Sequence, residues 1–220
     1  MESNAESHGD RRPIATRRRK WAQVSAHWLA THNVSPNAIS IAGMFACIAA
    51  GILLALTSIA YCALEWFAAA VLVQLRLTAN MLDGMVALNS ARASRVGELY
   101  NEIPDRVSDA AVFIGAGFAF GGNVTLGFLA TILSIFTAYV RAAGKIAGAP
   151  SEFCGPMAKQ HRMLVITVVG VYSTVVPRSW LMIHLGQTEV GLMSIGLAII
   201  VIGCLVTVFR RLKRIAAALQ

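Results

Sequence analysis

Six apolar stretches, separated by short polar segments, follow one another along most of the 220-residue chain. They lie near residues 38–58, 61–88, 99–120, 124–146, 160–177 and 189–209. Each reaches the roughly 17 to 25 residues that a helix needs to cross the hydrocarbon of a bilayer. The pattern therefore predicts an all-α membrane protein with six transmembrane helices.

The segment before the first stretch has a different pattern. Residues 1–16 are polar and basic, and we expect a disordered arm there, followed by a membrane domain over residues 17–215. A run of basic residues is followed by apolar residues at helical spacing, at Trp21, Val24 and Trp28. This pattern favours an amphipathic helix lying at the membrane interface. An ordinary loop is the alternative.

Composition and charge placement support this topology. The chain is 56% hydrophobic and only 14% charged, more apolar surface than a soluble domain of this size could bury. Sixteen of the 19 Lys and Arg residues lie in the N-terminal arm, the second and fourth loops and the C-terminal tail. Only Arg178 lies in an odd-numbered loop. The positive-inside rule places both termini in the cytoplasm, and basic residues scattered between apolar stretches argue against nucleic-acid binding.

Polar side chains inside the second and third stretches are candidates for function, because such groups are costly in a membrane. Asn80 and Asp83 share one face of the second helix, while Asn101, Asp105 and Asp109 form a stripe along the third. The short connection between these helices makes them antiparallel neighbours. We expect both polar faces to meet at the cytoplasmic membrane boundary.

Carboxylates that converge in this way repel one another unless a cation lies between them. Oxygen ligands favour magnesium, manganese or calcium over zinc. Gly84 and Gly97 lack side chains beside the cluster, so a ligand could approach the backbone closely.

The register of this cluster resembles the signature of the CDP-alcohol phosphatidyltransferases, in which four aspartates, two glycines, an alanine and an arginine occur at fixed spacing. The matching positions are Asp83, Gly84, Ala87, Gly97 and Asp105. Asn80 and Asn101 take the first and third aspartate positions, and Leu88 stands where arginine is expected. With its Asn-for-Asp changes and Glu102, the chain resembles a divergent bacterial subgroup.

Other segments extend the resemblance over nearly the whole chain. SPNAIS (35–40) is similar to the segment that opens the family's first span, and 139–148 and 155–162 are similar to the basic segments around its fourth and fifth spans. The resemblance implies a multi-pass protein of the bacterial inner membrane with its active site at the cytoplasmic face. It also implies two divalent metal ions and a homodimer.

The resemblance further implies roles for the cluster. Asp83 would be a metal ligand, and Asp105 both a ligand and the general base that deprotonates the acceptor alcohol. The candidate ligands of Mg²⁺ or Mn²⁺ are Asn80, Asp83, Asn101, Glu102, Asp105 and Asp109. Each Asn keeps an amide oxygen but removes one negative charge, so we expect one tightly bound ion or two weakly bound ions.

A second set of residues is expected to bind substrate, comprising Asn37, Gly84, Ala87, Arg92, Gly97, Arg141, Lys159 and Arg162. Arg92 would replace the missing arginine, and Arg76 would pair with the cluster. Arg141, Lys159 and Arg162, with Lys145 and His161, form a basic rim that could bind a phosphate of the acceptor or the diphosphate of the donor. Contact with membrane lipid headgroups is an equal alternative for each one alone.

The activity that the resemblance implies is transfer of a phosphatidyl group from CDP-diacylglycerol to a small polar alcohol, with release of CMP. The basic rim favours a phosphorylated acceptor such as glycerol 3-phosphate. Two alternatives remain open: a catalytically impaired relative that binds nucleotide-lipid or acts as a partner subunit, and a small cation transporter. A transporter predicts polar residues near mid-bilayer, whereas these lie at helix ends.

Overall fold

The computed structural model describes residues 19–60, 62–89, 95–186 and 188–220. The arm at 1–16 and the candidate Arg92 lie outside them. Within these ranges the chain is mainly helical. The α-helices are α1 (Lys20–Thr31), α2 (Pro36–Leu56), α3 (Ala63–Asn89), α4 (Arg95–Phe118), α5 (Val124–Ile146), α6 (Lys159–Val175) and α7 (Leu192–Ala218).

Helix α1 confirms the helix expected before the first apolar stretch. Its Ala22 and Ala26 are buried against Met81 and Met85 of α3. The two tryptophans and Val24 stay on the exposed face. Pro36 is the first residue of α2, and the Ser35 hydroxyl accepts a hydrogen bond of 3.1 Å from the amide of Ala38. The position of α1 at a membrane interface stays a prediction.

In the part of the chain that the structure describes, four helices are long and apolar enough to cross a membrane: α2, α3, α5 and α7. The other two expected spans are helical too, but they differ in composition or length. Helix α4 carries six charged residues between positions 95 and 109, and α6 is only 17 residues long. The six-span count and the cytoplasmic termini therefore remain predictions.

Helix α2 packs closely against both α3 and α4. A Cβ on Gly51 would lie 2.2 Å from the carbonyl oxygen of Ala111 in α4, and one on Gly115 would lie 2.2 Å from the carbonyl oxygen of Gly51. Glycines on both helices thus allow their backbones to touch, as small residues do in membrane helix pairs. Near its start, α2 lies beside the polar end of α3, where Ser40 is bonded to Asp83 and Arg76.

The chain between α6 and α7 differs from the sequence-based expectation. A 3₁₀ turn at Arg178–Leu181 leads into strands β1 (Met182–Leu185) and β2 (Thr188–Gly191), which pair antiparallel. The last span, expected from residue 189, therefore begins only at Leu192, because the preceding residues bond to a neighbouring strand. At its other end α7 continues as helix through the basic tail.

Candidate active site

The acidic residues of α3 and α4 converge beside the start of α2, as the sequence predicts. Asp83 and Asp105 are buried, with 4% and 8% of their surface exposed, and Asp109 is fully buried. Buried carboxylates are costly unless they are paired or bind a cation. Their individual partners therefore define the chemistry of the site.

Asp83 is held by a hydroxyl group. The Ser40 hydroxyl on α2 donates to Asp83 Oδ2. Asp83 Oδ1 and the neighbouring Asn80 Oδ1 are both buried, and neither accepts a hydrogen bond from any described residue. Buried oxygens without donors are uncommon and call for an explanation. A hard divalent cation would satisfy both oxygens, so these two residues fit a magnesium or manganese ion.

Asp105, in contrast, is paired with two basic side chains. Arg76 Nη2 donates to Asp105 Oδ1 over 2.6 Å, and Lys159 Nζ from the start of α6 donates to the same oxygen. Asp105 Oδ2 has only a distant ion pair, 3.9 Å from Arg106 Nη2. Arg76 was expected to pair with the cluster, and it does.

The position of Arg76 depends on a glycine. Arg76 is fully buried and its Nη1 donates to the carbonyl oxygen of Ser40 over 3.1 Å. A Cβ on Gly43 would lie only 2.8 Å from that Nη1. The absence of a side chain at Gly43 thus lets the guanidinium pass under α2 and link Ser40 to Asp105.

Asp109 pairs with Arg162 of α6 over 2.7 Å. Arg162 is buried and also donates to the carbonyl oxygen of Met157 (3.1 Å) and the hydroxyl of Thr137 (3.3 Å). The guanidinium therefore connects α4, α5 and the segment before α6. In this arrangement both Asp109 and Arg162 are engaged with each other.

Glu102 and Arg141 form the more open side of the site. Arg141 Nη2 lies 3.0 Å from Glu102 Oε2, and Arg106 Nη2 lies 2.9 Å from Glu102 Oε1. The Glu102 side chain is 46% exposed, and the Arg141 guanidinium stacks over Phe153 at 5.4 Å. These residues are accessible to a ligand from solvent.

The remaining candidates have less specific surroundings. Asn101 is exposed, and the other four described positions are half-buried: Asn37, Gly84, Ala87 and Gly97. Of the further rim residues, Lys145 and His161 are exposed. Their assignment to metal or substrate stays a prediction.

Sequence reasoning missed three residues that shape the site: Ser40, Gly43 and Arg106. Ser40 stood inside the SPNAIS segment, yet nothing in the pattern indicated a partner 43 residues away. Arg106 gave a clearer signal, because it lies four residues after Glu102 in a helix and such pairs face each other. Within the described ranges, three or more His, Cys, Asp or Glu residues do not gather as a metal centre.

No protein-family model matches the chain. Individual proteins do match. Inner membrane protein YnbA of Escherichia coli is 27% identical over 153 residues, covering 69% of this chain and 74% of YnbA. An uncharacterized protein of Aquifex aeolicus is 30% identical over 194 residues, covering 86% of each. Phosphatidylinositol phosphate synthase of Streptomyces avermitilis is 26% identical over 197 residues, covering 84% of this chain and 74% of the synthase.

The fold matches a solved enzyme structure. Phosphatidylinositol phosphate synthase of Mycobacterium tuberculosis, crystallised with manganese and citrate, aligns with a TM-score of 0.71 at 20% identity over 90% of both chains. The same enzyme with CDP-DAG bound aligns with a TM-score of 0.69, covering 88% of this chain and 92% of that one. The signature register, these relatives and the shared fold lead to one conclusion: the chain belongs to the CDP-alcohol phosphatidyltransferase family of membrane enzymes.

Proposed function

We propose that this enzyme transfers a phosphatidyl group from CDP-diacylglycerol to a small polar alcohol and releases CMP. The observation that carries the proposal is the pair of buried, unpartnered oxygens on Asn80 and Asp83, beside Asp105 and in the register of the family signature. The solved neighbour with CDP-DAG bound supports the donor, and the relatives named as phosphatidylinositol phosphate synthases support an alcohol acceptor.

Mg²⁺ or Mn²⁺ is the cofactor we propose, and the neighbour crystallised with manganese supports it. Asn80 and Asp83 would hold it, and Asn101, Glu102, Asp105 and Asp109 are the further predicted ligands, of this ion or of a second one. A bound divalent ion would neutralise phosphate charge and help to align the attacking and leaving oxygens.

The reaction is a substitution at phosphorus. The acceptor hydroxyl oxygen forms a bond to the phosphorus that carries diacylglycerol, the bond from that phosphorus to the bridging oxygen breaks, and CMP leaves with the electron pair. We propose that the hydroxyl proton goes to Asp105 Oδ2. Arg76 and Lys159 both bind Oδ1 and so leave Oδ2 as the oxygen with the weaker contacts.

A phosphorylated acceptor, such as glycerol 3-phosphate, suits the open side of the site. Arg141 Nη2 donates to both carboxylate oxygens of its exposed partner Glu102. It can exchange Glu102 for a substrate phosphate, because a guanidinium donates charge-assisted hydrogen bonds to either anion. His161 is exposed two residues beyond Lys159. Asn37, Gly84, Ala87 and Gly97, together with Arg92 outside the described residues, complete the proposed substrate contacts. Arg162 was expected among them, but it is buried and paired with Asp109, and we propose a structural role for it instead.

The proposed setting is the bacterial inner membrane, with six spans, cytoplasmic termini and the active site at the cytoplasmic face. The four apolar helices and the relative named as an inner membrane protein support a membrane location. The concentration of basic residues in alternate loops supports the orientation. A homodimer embedded in membrane lipid is the assembly that we propose.

The decisive experiment uses the purified full chain in lipid nanodiscs, with radiolabelled CDP-diacylglycerol and magnesium or manganese. We expect CMP release and a new labelled phospholipid with at least one member of a panel of alcohols that includes glycerol 3-phosphate. Asp105→Asn, which keeps the shape of the side chain, should abolish both products. Failure of every alcohol to release CMP from folded protein would contradict the proposal and favour the impaired relative.

A further inference from the structure

The electrostatic balance of the site is unusual for a place where the family resemblance implies two divalent cations. Four carboxylates contribute negative charge within the described part of the cluster: Asp83, Glu102, Asp105 and Asp109. Five basic side chains form ion pairs with three of these carboxylates: Arg76, Arg106, Arg141, Lys159 and Arg162. The site therefore carries a net positive charge from its own side chains before any ion binds.

The Asp105 carboxylate and the oxygens of Asn80 and Asp83 have different neighbours. Asp105 Oδ1 accepts from both Arg76 and Lys159, so two fixed cations already lie against it. Asp83 forms no ion pair with a basic side chain among the described residues, and its Oδ1 is buried without a partner. Asp109 Oδ1 is also buried without a hydrogen-bond partner, but its carboxylate is paired with Arg162. Among the described residues of the cluster, the Asn80–Asp83 side alone combines unpartnered oxygens with a carboxylate that has no ion pair to a basic side chain.

Lys159 is held at Asp105 although its location in a helix is unfavourable. It is the first residue of α6, where the backbone dipole carries partial positive charge and repels a cation, typically by about 0.3–1 kcal/mol. Its side chain is nonetheless only 14% exposed and directed onto the Asp105 carboxylate. An ammonium in this position is explained by its interaction with Asp105.

Building on the proposed function, we infer that this chain binds a single divalent ion, between Asn80 and Asp83, and that the Lys159 ammonium supplies the positive charge at Asp105 that a second ion would otherwise provide. The Asn residues at positions 80 and 101 fit this arrangement, because each removes a negative charge that a second ion needs. A second ion would enter a cluster that is already positive, and Coulomb repulsion opposes it.

The test counts bound Mn²⁺ by electron paramagnetic resonance on the full chain in nanodiscs, without any substrate. We expect one ion per chain at saturation. Asp83→Asn should weaken binding by tenfold or more, since loss of even an outer-shell partner costs metal sites about 10–100-fold in affinity. Asp105→Asn, the matched change in the other carboxylate, should leave one ion bound with nearly unchanged affinity.

A gain-of-binding variant provides the complementary arm. Lys159→Met removes the ammonium and keeps an unbranched side chain, and Asn80→Asp with Asn101→Asp restores two charges. The triple variant should bind two Mn²⁺ ions, whereas Asn80→Asp with Asn101→Asp alone should bind the second ion more weakly. If the triple variant does not fold, the wild-type count and the Asp83–Asp105 comparison still decide the question.

Two results would overturn the inference: two ions per wild-type chain, or equal loss of binding in Asp83→Asn and Asp105→Asn. The count is independent of catalysis. An inactive protein that binds one ion refutes the proposed reaction and leaves this inference standing. An active protein that binds two ions supports the reaction and refutes this inference.

Discussion

Arg76 and Asp105 form a buried ion pair that joins α3 to α4, with Arg76 Nη2 2.6 Å from Asp105 Oδ1. The Arg76 side chain has no exposed surface, and its other amino group donates to the Ser40 carbonyl on α2. One guanidinium thus ties together the three helices that carry the site. Without Arg76, Asp105 would keep Lys159 as its only hydrogen-bonded cationic partner among the described residues, and the Ser40 carbonyl would lose its Arg76 donor.

We therefore expect Arg76→Met to lower the free energy of unfolding by about 1–3 kcal/mol, because Asp105 and the Ser40 carbonyl each lose a buried hydrogen-bond partner. Denaturant titration of the protein in mixed micelles, followed by circular dichroism, measures this. Adding Asp105→Asn to Arg76→Met should recover part of the loss. Arg210→Met, at an exposed arginine, is the control, with an expected change within about 0.5 kcal/mol. Equal losses of stability in Arg76→Met and Arg210→Met would contradict the assigned role of Arg76.

Gly43→Ala should disturb the same guanidinium from the other side. The added methyl would lie 2.8 Å from Arg76 Nη1 and 3.0 Å from the Ala79 Cβ, and Arg76 cannot move freely because both of its amino groups are bonded. We expect lower CMP release and an overpacking cost of about 1–3 kcal/mol in the free energy of unfolding.

Gly170→Ala on α6 is the matched control for Gly43→Ala. A Cβ there meets its nearest neighbour, the Ala70 Cβ, at an ordinary 3.4 Å. Alanine is the better helix former by about 1 kcal/mol, so this change should be neutral or stabilising. A Gly43→Ala enzyme that is as active and stable as Gly170→Ala would show that Gly43 does not limit the space for Arg76.

Ser40→Ala should weaken metal binding while the fold persists. The Ser40 hydroxyl donates to Asp83 Oδ2, and outer-shell partners of this kind typically contribute about 10–100-fold to metal affinity by orienting the ligand. The measurement is CMP release as a function of Mn²⁺ concentration, in which the half-saturating concentration should rise. Ser194→Ala is the control, since its hydroxyl donates to the Gly121 carbonyl, outside the acidic cluster. A similar rise in that control would indicate a general structural effect.

Replacing Arg162 should mainly lower the stability of the protein, whereas replacing Arg141 should mainly weaken substrate binding. Arg162 is buried against Asp109, so Arg162→Met should destabilise the protein by about 3 kcal/mol or more. Arg141 pairs with a half-exposed Glu102, so Arg141→Met should cost less than about 1 kcal/mol. If the acceptor is phosphorylated, Arg141→Met should raise its KM with a smaller change in kcat.

For this pair, the free energies of unfolding come from denaturant titration and the kinetic constants from CMP release with varied acceptor. An Arg141→Met enzyme with unchanged KM for every phosphorylated acceptor would remove Arg141 from the substrate site. An Arg162→Met protein as stable as wild type would show that the buried pair with Asp109 adds nothing to the fold.

Much of the fold follows from local pattern. The limits of α2 and α5 agree with the expected apolar stretches within a few residues, because a length of apolar sequence and a capping residue such as Ser35 are local properties. The hairpin before α7 could not be predicted in this way. Its strand pairing, such as Ile183 with Val190, is a contact between segments rather than a feature of either one.

The candidate site, too, could be predicted only where it depends on local spacing. The register that brings Asp83 and Asp105 to adjacent helix ends is readable from spacing, because 3.6 residues per turn place residues three or four apart on one face. Nothing in that spacing says which carboxylate receives a basic partner. Lys159 was expected to bind substrate, and the structure places its ammonium on Asp105.

The sequence by itself determined that this protein is an apolar helical chain with an acidic cluster in the register of a phosphatidyltransferase. Those properties depend on residues that are near one another along the chain. Only the tertiary structure decided how the charge in the cluster is balanced. Arg76, Lys159 and Arg162 reach Asp105 and Asp109 across 29 to 54 residues, and such partners are chosen by helix packing, which local spacing does not encode.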